Sequence, residues 1–155
     1  MVTISQVEMA EILKHMPHRH PFLLIDRVLD VEPPNWIRVA KNVTINEPFF
    51  AGIPRNECEM PQVLLVEAFA QCCGVLCYFS NHMKPFGGTL SFFAGIENCR
   101  FHGTAVPGDQ IIFYCVLNRA SRGVMKLSGT GSVDGKCVIK LDVTAVMRDR
   151  PPMNS

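Results

Sequence analysis

Residues 61–83 read PQVLLVEAFAQCCGVLCYFSNHM, the only stretch of the 155 residues long and apolar enough to form a central buried helix. At about 1.5 Å of rise per residue, it can run through the middle of a small domain. Val63, Leu64, Leu65, Val66, Ala68, Phe69, Cys72, Cys73, Val75, Leu76 and Phe79 lie on all sides of it. A helix apolar all round is expected to be buried all round. Two polar residues interrupt it, Glu67 and Gln71, spaced i and i+4 and therefore on one face. A carboxylate on such a helix is either satisfied or put to use. Pro61 suits a first helical turn. His82 and Lys84 suit a C-terminus, and Pro85 with Gly87 and Gly88 ends the element.

Working outward, Ser5 is placed to cap a short helix through Leu13, with Val7, Ala10 and Leu13 at helical spacing. The HMPHRHP loop of residues 15–21 follows, stiffened by two prolines. Residues 22–31 read as a strand and residues 36–43 as a second, in which Ile37 and Val39 alternate with Arg38 and Lys41. Residues 46–61 are loop. Beyond the helix, residues 89–94, 98–103 and 110–118 read as strands. Residues 124–134 and 136–147 form a hairpin about an Asp134-Gly135 turn. Strands, one long helix, then a strand meander make an α+β fold in which a curved antiparallel sheet wraps the central helix. A single domain is expected over residues 1–148, with a disordered tail over 149–155.

Composition excludes several function classes. The formal net charge is +1, and no Lys/Arg run or aromatic-basic interleaving marks a nucleic-acid binder. The seven cysteines form no C-x-x-C pair and three lie on the apolar helix, which fits small buried hydrophobes in a reducing cytoplasm. No N-terminal signal pattern is visible, and Glu67 and Gln71 interrupt the helix short of a clean membrane span. No cofactor motif occurs. His15, His18 and His20 sit in a proline-broken loop at spacing poor for a metal, so loop hydrogen bonding is their expected role. His82 reads as a helix-end cation, and His102 has no carboxylate near it in sequence.

Glu67 remains. It is either a carboxyl hydrogen-bonded to Gln71 or backbone, or a general acid tuned by its apolar surroundings. The helix start near Gln62 and Val63 offers free N–H groups and a positive dipole about one turn away, where a thioester enolate would be stabilised.

These residues belong to a wider pattern. PHRHPFLLIDRV (17–28), KNVTINEPFF (41–50), VLLVEAFAQ (63–71), FFAGIENCRF (92–101) and VPGDQ (106–110) stand in one order. Together they resemble the FabZ-type (3R)-3-hydroxyacyl-acyl-carrier-protein dehydratases of fatty acid synthesis, enzymes of the hotdog fold. The resemblance implies an elimination in which a histidine takes the proton next to the thioester. A helix carboxylic acid protonates the leaving hydroxyl, and the helix N-terminus holds the oxyanion. Glu67 falls on the acid position. Gln62, Val63, Gln71, Phe50 and Gly95 are expected to contact substrate, and no metal or cofactor is implied.

One departure stands out. Where the family reads G-H-F-P-G, this chain reads Gly52-Ile53-Pro54-Arg55-Asn56, so Ile53 occupies the histidine's place, and an isoleucine takes no proton. The family's sites are shared across a dimer, histidine from one subunit and carboxylate from the other. A homodimer, or a heterodimer with a homologous histidine-bearing dehydratase, is therefore expected, acting on acyl carrier protein. Two alternatives stand beside it: an inactive subunit binding acyl-carrier protein, and a thioesterase that uses Glu67 to activate water. Cys58 or a histidine from elsewhere is a further candidate base. Phe49, Phe50, Phe92 and Phe93 fit an acyl tunnel and equally fit core packing. Arg100, Arg119 and Arg122 fit an acidic carrier protein or a plain solvated face. The rewritten loop points to specialised acyl or polyketide chemistry.

Overall fold

In the computed structural model, residues 3–14, 16–80 and 89–149 are described. The sheet follows from alternation. In β3 (Trp36–Asn42), Ile37 and Val39 are buried while Arg38 faces solvent. In β5 (Gln110–Ser121), Ile111, Phe113 and Cys115 point inward with Tyr114 outward. β6 (Val124–Val133) turns Met125 and Leu127 inward, and β7 (Lys136–Asp149) turns Ile139, Leu141, Val143 and Ala145 to the same core. Period-2 burial of this kind fixes register, because a one-residue slip would expose the whole inner face.

With β1 (Ile4–Val7), β2 (Arg27–Glu32) and β4 (Thr89–Phe101), these strands make one antiparallel sheet in the order β1-β2-β3-β5-β6-β7-β4. The β6–β7 hairpin turns on Asp134 and Gly135, both at positive φ (48° and 76°), as a two-residue turn matching strand twist requires.

The long helix, α2 (Gln62–Phe79), connects β3 to β4 and lies against β3, β5, β6 and β7. Its 18 residues span about 27 Å. Leu65, Phe69, Cys72 and Leu76 are fully buried, and Phe69 meets Phe113 edge-on at 6.3 Å between ring centroids. The approach depends on Gly129. A Cβ there would stand 1.9 Å from the Tyr114 carbonyl oxygen and 2.7 Å from the Phe69 ring. Ile12, Met16, Leu24 and Ile25 join the same core, and the backbone of Phe22 and Leu24 is bonded to α2 through Gln71. By length and composition α2 would pass for a membrane span, yet 56% of it is buried inside the protein.

Several expectations need correction. The N-terminal segment is a strand before it is a helix. Ile4–Val7 pairs with β2, and α1 (Met9–Leu13) begins only after Glu8, so Ser5 lies within a strand and not at a helix start. Edge pairing with β2 outweighs the helical spacing seen in sequence. β2 starts at Arg27; Leu24 and Ile25 are core residues in an irregular segment whose backbone bonds elsewhere. The two segments expected after the helix are one strand, β4, bent by irregularities at Phe93/Gly95 and Glu97/Arg100. Nor is α2 buried all round, since Gln62 is exposed and Val63 is 73% exposed. His15, the helix-stop residues 81–88 with His82, and residues 150–155 of the expected tail lie outside the described residues.

Candidate active site

The site is organised by Gln71, which is 2% exposed and has its amide committed on both sides. Its oxygen accepts the Leu24 N–H at 2.9 Å, and its nitrogen donates to the Phe22 carbonyl at 2.8 Å. The same nitrogen donates to Glu67 Oε1 at 2.8 Å, across one helical turn. Gln71 therefore ties α2 to residues 22–24 and holds the carboxyl of Glu67. The Glu67 side chain stays 28% exposed, so it is satisfied on one oxygen and open to a ligand.

A second group faces Glu67. The loop before β2 carries His18 to the same spot, with Nε2 3.6 Å from Glu67 Oε1, beyond hydrogen-bond length. Its Nδ1 is buried without a partner. The ring packs against Phe22 at 6.1 Å. Arg19 fixes the loop backbone, donating to the carbonyls of Leu13, Met16 and His18 at 2.6–3.0 Å. Sequence reading gave His18 only loop hydrogen bonding, because residues 18 and 67 meet through tertiary packing that no local spacing reports. Their joint presence in matched motifs was the one available signal.

Gln62 and Val63 open α2 behind Pro61, whose carbonyl accepts the Leu64 and Leu65 N–H groups. The first N–H groups of a helix have no intrahelical partner, so this solvent-facing start keeps donors available. Phe50 is 4% exposed and packs edge-on against Phe49 at 4.6 Å, as a core residue. Gly95 lies in β4 at a register shift, opposite Thr144. Ile53 is 40% exposed in the turn after a single 3-10 turn, Pro48–Phe50. Cys58 is buried, its thiol directed at the Pro54 carbonyl. Lys41 is almost fully buried and pairs with Glu47, anchoring the loop that leads to Ile53. Arg100, Arg119 and Arg122 are all exposed. Among the described residues no cluster of His, Cys, Asp and Glu is arranged for a metal.

The FabA-like domain model matches residues 16–142. The 3-hydroxyacyl-[acyl-carrier-protein] dehydratase FabZ of Dechloromonas aromatica is 44% identical over 143 residues, covering 92% of this chain and 99% of that protein. The Shewanella loihica FabZ is 42% identical over 146 residues, 94% and 95% of the two. The chain belongs to the FabZ-type dehydratase family. Solved structures agree on the fold. The dehydratase heterocomplex ApeI:P from Xenorhabdus doucetiae superposes with a TM-score of 0.74 at 16% identity, covering 90% of this chain and 91% of that one. A hot-dog-like protein from Thermanaerovibrio acidaminovorans superposes at 0.59 with 19% identity, covering 74% and 81%. The FabZ-type chain thus has the hotdog fold, its antiparallel sheet set against one long helix.

Proposed function

We propose that this chain is a dehydratase subunit acting in the cytoplasm on 3-hydroxyacyl thioesters of acyl carrier protein. Glu67 is its acid, and a homologous histidine-bearing partner supplies the base. The partner's base removes the proton beside the thioester carbonyl while Glu67 protonates the departing hydroxyl, releasing water and the enoyl thioester. The open start of α2 at Gln62 and Val63 receives the developing oxyanion.

The observation that carries this reading is the Glu67 carboxyl, held by Gln71 on Oε1 yet still partly open. Isoleucine at position 53 explains the need for a partner's base. The exposed edge strand β4, with Phe92, Phe93 and Ile96 about half exposed, supports a second chain docking there. The dehydratase heterocomplex among the structural neighbours is a precedent for such an assembly in this fold.

The test is hydration of a crotonyl thioester, followed by absorbance, with this chain alone and mixed with a histidine-bearing dehydratase from the same source. Turnover that appears above either component only in the mixture, and is lost with Glu67→Gln, is the expected result. Turnover by the chain alone would place the base within it, and silence in both would leave a binding subunit.

A further inference from the structure

The acid proposed above has two oxygens, and the structure treats them differently. Gln71 cannot be turned around: its oxygen takes the Leu24 N–H and its nitrogen gives to the Phe22 carbonyl. Its remaining N–H therefore points at Glu67 Oε1. His18 Nε2 faces that same oxygen. The state of the ring follows from its far side, where Nδ1 is buried with no acceptor. A proton on Nδ1 would be a buried donor without a partner, and it would leave the bare lone pair of Nε2 facing Glu67 Oε1, two acceptors together. The neutral ring therefore carries its proton on Nε2, making His18 a second donor toward Oε1.

We infer that His18 is a positioning residue for Glu67: with Gln71 it directs two N–H groups at Oε1, so that the acid proton resides on Oε2. An O–H on Oε1 would oppose those donors. No protein group bonds Oε2 among the described residues, so its proton is free for a leaving hydroxyl. When that proton departs, the two N–H groups already face the charge that forms. At 3.6 Å the contact is longer than a hydrogen bond, and on this inference it shortens when substrate binds. The inference rests on Glu67 as the acid, but its first test does not.

That test is two-bond proton–nitrogen NMR on the folded full chain labelled with nitrogen-15 histidine, at a pH where the ring is neutral, with the His18 signals assigned by their loss in His18→Gln. A proton on Nε2 and a bare Nδ1 are expected. The opposite tautomer overturns the proposal, whatever the chain's activity. The second arm uses the mixed dehydratase. His18→Gln, whose amide nitrogen reaches the place of Nε2, should keep kcat within a few-fold. His18→Ala should lower kcat on the order of tenfold with KM held, the size expected for one lost hydrogen bond to a forming charge. An alanine variant with unchanged kcat, or a glutamine variant as slow as alanine, overturns the positioning role. If Glu67→Gln leaves the mixture fully active, the acid assignment fails instead, and the tautomer result stands apart from it.

Discussion

Gln71 joins three parts of the chain through one buried amide, and replacing it with leucine keeps the volume while removing every bond. The Leu24 N–H is then left in the core without an acceptor, which costs about 1–3 kcal/mol. Gln71→Leu should therefore lower the unfolding free energy by that amount, seen as a lower urea midpoint at unchanged slope. Activity in the mixed dehydratase should fall further than stability explains, because Glu67 loses its firm donor. The buried thiols give a second expectation at this scale. Burial pushes the Cys72, Cys73 and Cys77 thiols well up, and Cys73 also sits 3.3 Å from the Cys115 sulfur. The native state keeps these protons where the unfolded chain, with thiols near about 8.5, releases them. Their contribution is thus fully present below that value and is lost as pH rises above it. Urea midpoints should decline from about pH 8.5 upward, and Cys77→Ala should flatten the decline. An aromatic disulfide reagent at neutral pH should label exposed Cys137 and leave these three untouched until unfolding. Glu67 and Gln71 were legible in sequence because i and i+4 share a helix face. His18 was not, because its position depends on how residues 16–25 lie across α2.

The sheet and the helix meet through an absence of side chain. Gly129 lies on β6 where Phe69 of α2 and the Tyr114 carbonyl of β5 converge, and Gly131 does the same for Phe113 and Ile139. At residue 129 the obstruction includes backbone, so no rotamer change can relieve it. Gly129→Ala should destabilise by about 1–3 kcal/mol or more, as over-packed cores do, and thermal melts would show it. An unchanged melting temperature would mean that β6 can move off α2 freely. At this scale the strands of strict alternation were plain in the sequence: β3, β5, β6 and β7, whose inner faces are buried. The edge strands are less legible: residues 4–7 show helical spacing, and β4 shows only as two shorter strand segments. β1 offers only four residues and gains its order from β2. β4 exposes Phe92, Phe93 and Ile96 alike, so it shows no alternation to read. The first turn of α2 misled for a related reason, since an apolar residue such as Val63 signals burial without saying by which chain.

At the scale of the whole molecule, β4 is a long sheet edge that no other strand covers among the described residues. β4 is 13 residues long, pairs with β7 alone among the described residues, and presents apolar side chains about half exposed. A long apolar edge is a template for another strand, and stable proteins cover or blunt it. β4 carries Glu97 and Arg100 but no proline, so it is poorly blunted. The covering element is therefore expected to be a second chain, either a copy of this one or the histidine-bearing homologue. Ile96, half exposed between the two irregularities of β4, is the residue to change. Ile96→Lys places a charge on the edge without touching the core, so the far-ultraviolet circular dichroism should stay as it is. If a second chain docks on β4 as proposed, sedimentation velocity should then show assembly falling toward monomer, with the mixed dehydratase losing turnover in parallel. If assembly and turnover both survive the lysine, the partner docks elsewhere. If assembly breaks while turnover persists, the site is complete within one chain, and the base must be sought beside Glu67 itself, where His18 already stands.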